Sequence, residues 1–131
     1  MKRLFQIISV VLAILSLTLF ISASEINGPI IVYPEAGVTV QFEADTSLTP
    51  EMMQMIGDSI VYDTPIAQTY ALCWLTGHDK VTETVTAISH QELPYDPRCR
   101  LDIYLITTCT KCDYYSEELS SSGYISCCPE D

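Results

Sequence analysis

The longest apolar stretch comes first. Two cations, Lys2 and Arg3, precede an almost unbroken run over residues 4 to 21, and the small residues Ser22, Ala23 and Ser24 follow it. A charged start, an apolar centre and a small-residue end predict a secretory signal peptide over residues 1–24, cleaved near Ala23 or Ser24. A retained anchor fits the pattern less well: a span needs about 18 residues or more, Gln6, Ser9, Ser16 and Thr18 interrupt the run, and no cationic stop-transfer flank follows. Beyond it the period changes. Residues 29 to 33 are an apolar β-branched run, 34 to 37 (Pro-Glu-Ala-Gly) supply turn chemistry, and Val38, Val40 and Phe42 alternate with Thr39, Gln41 and Glu43, which predicts a hairpin. Thr49, Pro50 and Glu51 read as a helix start: a hydroxyl N-cap, proline at the first helical position and an acid near the positive end of the helix dipole. Met52, Met55, Ile56 and Ile60 then share one helical face, with Gly57 a weak point.

Pro65 ends that unit, and residues 66 to 75 alternate as another strand carrying Cys73 and Trp74 toward Gly77. The second half is richer in Thr, Tyr and Cys. Residues 81 to 89 are β-rich, Pro94 and Pro97 break the next stretch, and Leu101, Ile103 and Leu105 alternate with Asp102, Tyr104 and Ile106. Residues 114 to 119 and 124 to 128 flank Ser-Ser-Ser-Gly at 120 to 123, a turn sequence ending in glycine. The pattern therefore predicts an α+β fold: an antiparallel β-meander of about seven strands with one N-terminal helix, forming a single small Cys/His-stapled domain over residues 25–131.

Charge narrows the partners. The formal charge of the whole chain is −11, and removing residues 1–24 takes away two cations and no acid, which leaves −13 on the mature part. Nucleic acid is excluded on sign, because phosphate contacts need a basic surface. The membrane enters only through the signal peptide before cleavage. A chain of this size has a modest core and belongs to the class that often needs disulfides or a metal. All six cysteines lie in the mature part, and an even count in an exported small domain points to disulfides, with fifteen possible pairings if all are oxidised.

Spacing points elsewhere. In a meander over residues 81 to 128, folding about the loop near Tyr95 and again about 109 to 112 sorts the candidate ligands to two ends of the sheet. The near end collects Cys73, His78, Cys109 and Cys112, with Cys127 or Cys128 as a substitute ligand; the far end holds His90 and Cys99. The twelve residues between His78 and His90 keep the two histidines tens of ångströms apart at about 3.3 Å per extended residue. Cys73-x4-His78 with Cys109-x2-Cys112 has the ligand types and spacing of a structural zinc site, with the C-x-x-C turn forming a knuckle whose backbone N–H groups can point at the thiolates. Compartment argues for disulfides and spacing for zinc, and both remain open at this level.

The order Cys-Trp-Leu-Thr-Gly-His (73–78), a lone His90, Pro-Arg-Cys (97–99), Cys-Thr-Lys-Cys-Asp-Tyr (109–114) and Cys127-Cys128 resembles a group of small uncharacterised secreted proteins of Clostridia-type gut bacteria. The resemblance covers roughly the last half of the chain and, more loosely, the helix from Pro50. It implies a bacterial secreted origin and a Cys/His site. Locally the 109–112 segment is similar to zinc-ribbon knuckles, although Asp113 stands where those usually have glycine.

Three function classes follow. The first is a secreted non-catalytic module with a structural zinc site, presenting a surface to an unknown protein or other extracellular ligand. The second is a metal-free disulfide-framework binding or inhibitor-like protein. The third is a thiol-disulfide oxidoreductase using Cys109 and Cys112. Such enzymes activate a cysteine at a helix N-terminus, whereas a β-type run and the acid of Asp113 follow here, so the enzyme class is set aside. No HExxH or comparable general base accompanies the cysteines.

Overall fold

The computed structural model describes residues 28–68 and 73–128. The expected signal peptide, and part of the strand expected over 66 to 75, lie outside the described residues. Five strands form one fully antiparallel sheet in chain order: β1 (Ile30–Tyr33), β2 (Val38–Phe42), β3 (Lys80–Ser89), β4 (Cys99–Cys109) and β5 (Tyr115–Ile125). Two helices, α1 (Pro50–Tyr62) and the single-turn α2 (Cys73–Thr76), lie in the connection between β2 and β3. The class is α+β and mostly β. The expected single helix becomes two, because the chain winds into a helical turn at Cys73 where alternation suggested a strand.

The β1–β2 hairpin forms where the pattern placed it. Tyr33 pairs with Val38, and Gly37 takes φ 64, a left-handed conformation that glycine adopts without steric cost. In α1 the Thr49 side chain accepts from the Met52 N–H, Pro50 stands at the start, and Asp63 closes the helix in the left-handed region. Its inner face presents Ile56, with Met52, Met53, Ile60 and Val61 half-buried around it, against Tyr33, Val40, Phe42, Val85 and Ile106 of the sheet. Met55, expected on that face, is 48% exposed. Among the described residues no helix is long and apolar enough to cross a membrane.

The second half departs from expectation at one point with large consequences. Ser120 to Gly123 do not turn. β5 runs without reversal for 11 residues beside β4, from Thr108↔Tyr115 to Cys99↔Ile125, and takes up one extra residue as a register shift opposite Ile103 and Tyr104. The pairing passes from Ile103↔Ser121 to Tyr104↔Leu119 and leaves Ser120 as the residue out of step, a β-bulge. A bulge absorbs a turn-like sequence without ending the strand. The meander over residues 81 to 128 therefore has three long strands where four were expected.

Candidate metal centres

The β3–β4 register sets the first site. Lys80 pairs with Cys109, so His78, two residues before β3, arrives beside the 110–114 turn that leaves β4. Gly77, at φ 77, lets the chain leave α2 toward β3, and its N–H donates to the Cys73 carbonyl across the helical turn (2.9 Å). The knuckle is tied to this approach: the Thr110 N–H donates to the Asp79 carbonyl (3.0 Å), its hydroxyl to Asp79 Oδ2 (3.2 Å), and the Cys109 N–H to the Tyr114 carbonyl (3.2 Å). The His78 ring lies against Tyr114 with centroids 4.5 Å apart.

These local contacts bring Cys73, His78, Cys109 and Cys112 together, with one donor atom from each lying within 4.8 Å of all the others. Cys73 Sγ and Cys109 Sγ are 3.6 Å apart, and Cys112 Sγ and His78 Nδ1 3.4 Å. Tetrahedral zinc with bonds of about 2.3 Å to sulfur and 2.0–2.1 Å to nitrogen would place such donors about 3.5–3.8 Å from one another. The observed separations match it. Cys73 and Cys109 are buried, and His78 and Cys112 half-buried.

Electrostatics distinguish the sulfurs. A hydrogen bond with Cys112, burial and the neighbouring Cys109 push the Cys73 thiol up to about 12. Burial also pushes Cys109 up, but the Lys111 N–H (3.4 Å from Sγ), His78 and the backbone at Asp79 outweigh it and bring that thiol down to about 6. Backbone N–H groups and His78 thus favour the thiolate at Cys109, while crowding and burial favour the neutral thiol at Cys73.

A second set stands at the other end of the sheet, where the sequence placed only His90 and Cys99. His90, Cys99, Cys127 and Cys128 also bring four donor atoms within 4.8 Å of one another. This corrects the assignment of Cys127 and Cys128 to the near end: the unreversed β5 carries them away from the knuckle to the level of Cys99. His90 Nδ1 lies 3.3 Å from both Cys127 Sγ and Cys128 Sγ, and Cys128 Sγ lies 3.5 Å from both Cys99 and Cys127. Cys99 and Cys127 stand at disulfide-bonding distance. One signal could have found this set: after the knuckle, an unbroken strand as long as β4 ends level with Cys99. No family model, curated protein or solved structure matches the chain, so the functional reading rests on this donor geometry.

Proposed function

We propose that the protein is a secreted, non-catalytic domain of bacterial origin in which Cys73, His78, Cys109 and Cys112 hold a structural zinc ion, and whose surface meets a partner outside the cell. The observation that carries this reading is the convergence of three sulfurs and one imidazole nitrogen from α2, the approach to β3, the end of β4 and the following turn. A closed four-donor set suits a structural site, since catalytic zinc keeps a position open for water or substrate. The oxidoreductase alternative is disfavoured because Cys109 ends a strand instead of starting a helix. Beside the site, Trp74 (75% exposed) and Leu75 (65%) offer apolar area for a partner to cover. Between α1 and the knuckle lies a groove of about 490 Å³ reaching Met52, Ile66, Cys112 and Tyr114.

The metal-free disulfide framework is kept as the second reading because Cys99 and Cys127 stand at bonding distance. Intact mass under native and denaturing conditions, with and without reductant, separates the two. Zinc bound at the near end, released by chelator with a fall in melting temperature, is the expected result, since structural zinc contributes folding free energy. A metal-free protein with Cys109 and Cys112 in disulfides would overturn the zinc reading.

A further inference from the structure

We propose that His90, Cys99, Cys127 and Cys128 form a second structural zinc site of the Cys3His kind, so that one metal closes each end of the β3–β4 pair. The paired strands β3 and β4 carry one candidate ligand at or beside each of their ends. His78 and His90 flank β3, and Cys99 and Cys109 are the first and last residues of β4. Antiparallel pairing then sets each histidine beside one of those cysteines: Lys80↔Cys109 at one end, Ser89↔Arg100 at the other. Each end gains its remaining sulfurs from a neighbouring segment, α2 and the knuckle at one end, the tail of β5 at the other.

A Cys99–Cys127 disulfide would use two of the four far-end groups and leave the rest unexplained. His90 Nδ1 faces two sulfurs at 3.3 Å, and its other ring nitrogen, Nε2, lies 2.8 Å from Thr39 Oγ1 on β2. In the tautomer with its proton on Nε2, the Thr39 hydroxyl accepts that proton's hydrogen bond and the Nδ1 lone pair faces the two sulfurs, the arrangement by which an outer partner orients a metal-ligating histidine. The His90 N–H also donates to the Gly37 carbonyl (2.8 Å), which fixes the backbone of this ligand to the β1–β2 turn. Cys99 is fully buried, so one sulfur of the set is shielded from water. The separations of His90 Nδ1 and Cys128 Sγ from their neighbours, 3.3 to 3.5 Å, lie close to the edges of a zinc tetrahedron, about 3.5–3.8 Å, whereas the Cys99 and Cys127 sulfurs stand at disulfide-bonding distance and must part to bind the metal. Disulfide formation and metal binding compete for the same sulfurs of Cys99 and Cys127, and the two states differ in both zinc count and thiol count.

The test is zinc stoichiometry of the full chain prepared with reductant and Zn²⁺ and weighed under native conditions. Two zinc ions per chain are expected, falling to one in Cys128→Ser, one in Cys112→Ser and none in the double variant. A wild type with one zinc that Cys128→Ser loses and Cys112→Ser keeps would support the far site while removing the near one. Should Cys128→Ser not fold, Thr39→Val keeps all four donors, and its far-end zinc should pass to a chelator about 10–100-fold more readily. The inference is overturned if Cys128→Ser keeps the wild-type zinc count, if Thr39→Val releases zinc as the wild type does, or if the wild type holds one zinc and peptide mapping finds Cys99 joined to Cys127.

Discussion

Glu83 is a carboxylate on the helix-covered face of the sheet, buried at 9% exposure, and its partners are neutral. It accepts from the Thr46 hydroxyl, from the Ser47 N–H (2.9 Å) and from the Ser47 hydroxyl (2.6 Å), tying β3 to the loop before α1. Burial pushes its acidity toward the neutral form, but these donors outweigh it and hold the carboxyl below its ordinary 4.5. A depressed carboxyl contributes stability that is present above the unfolded value and is lost as pH falls through the folded one. Stability should therefore fall as the pH is lowered from the ordinary carboxyl value of 4.5 through the lower folded one, and Glu83→Gln, less stable at about pH 7, should lose less over that fall when urea midpoints are compared. Asp102 adds to the same loss: burial raises it, but Arg100 and Ser122 outweigh that and lower it. Glu83→Ala leaves the Thr46 and Ser47 donors without their acceptor and should cost on the order of 2–3 kcal/mol at pH 7.

At the scale of elements, two glycines make opposite predictions. Gly57 lies inside α1, where alanine would ordinarily gain about 1 kcal/mol in helix propensity. A Cβ there would stand 2.3 Å from Tyr33 Oη and 3.2–3.3 Å from the ring. That ring cannot yield cheaply: Tyr33 is buried, donates to Asp58 Oδ1 (2.9 Å), accepts from Gln54 Nε2 (3.2 Å) and meets Tyr62 edge-on. Gly57→Ala should thus lower the urea midpoint despite better propensity. Gly123 lies in β5 with nothing within 4 Å of a Cβ, so Gly123→Ala should be neutral or stabilising by up to about 1 kcal/mol. The sequence marked Gly57 as a weak point of the helix, whereas its reason, the approach of Tyr33, is a tertiary contact that no local pattern carries. The helix start, by contrast, was legible because Thr49, Pro50 and Glu51 act on backbone groups within one turn of themselves.

For the whole molecule, the near-end set was legible because two of its ligands share a turn and two lie within six residues, so one hairpin register joins them. The far-end set needed the course of β5 across the entire sheet. Ser-Ser-Ser-Gly is ambiguous between a turn and a bulge, and only pairing with β4 decides it, since Ser122 also donates to the buried Asp102 held by Arg100. Once β5 is continuous, the two donor sets are separated by the length of β4, ten rises of about 3.3 Å, or roughly 33 Å. Sites that far apart with no shared ligand should act independently on stability, coupling by no more than about 0.5 kcal/mol. A double-variant cycle on Cys112→Ser and Cys128→Ser in the zinc-loaded protein tests this: each change should destabilise on its own, because it removes one ligand of a folding-linked metal, and the two losses should add. Larger coupling would mean that loss of one site disturbs the other through β3 and β4. Near-zero loss for Cys128→Ser, beside a large loss for Cys112→Ser, would mean that metal holds only the knuckle end.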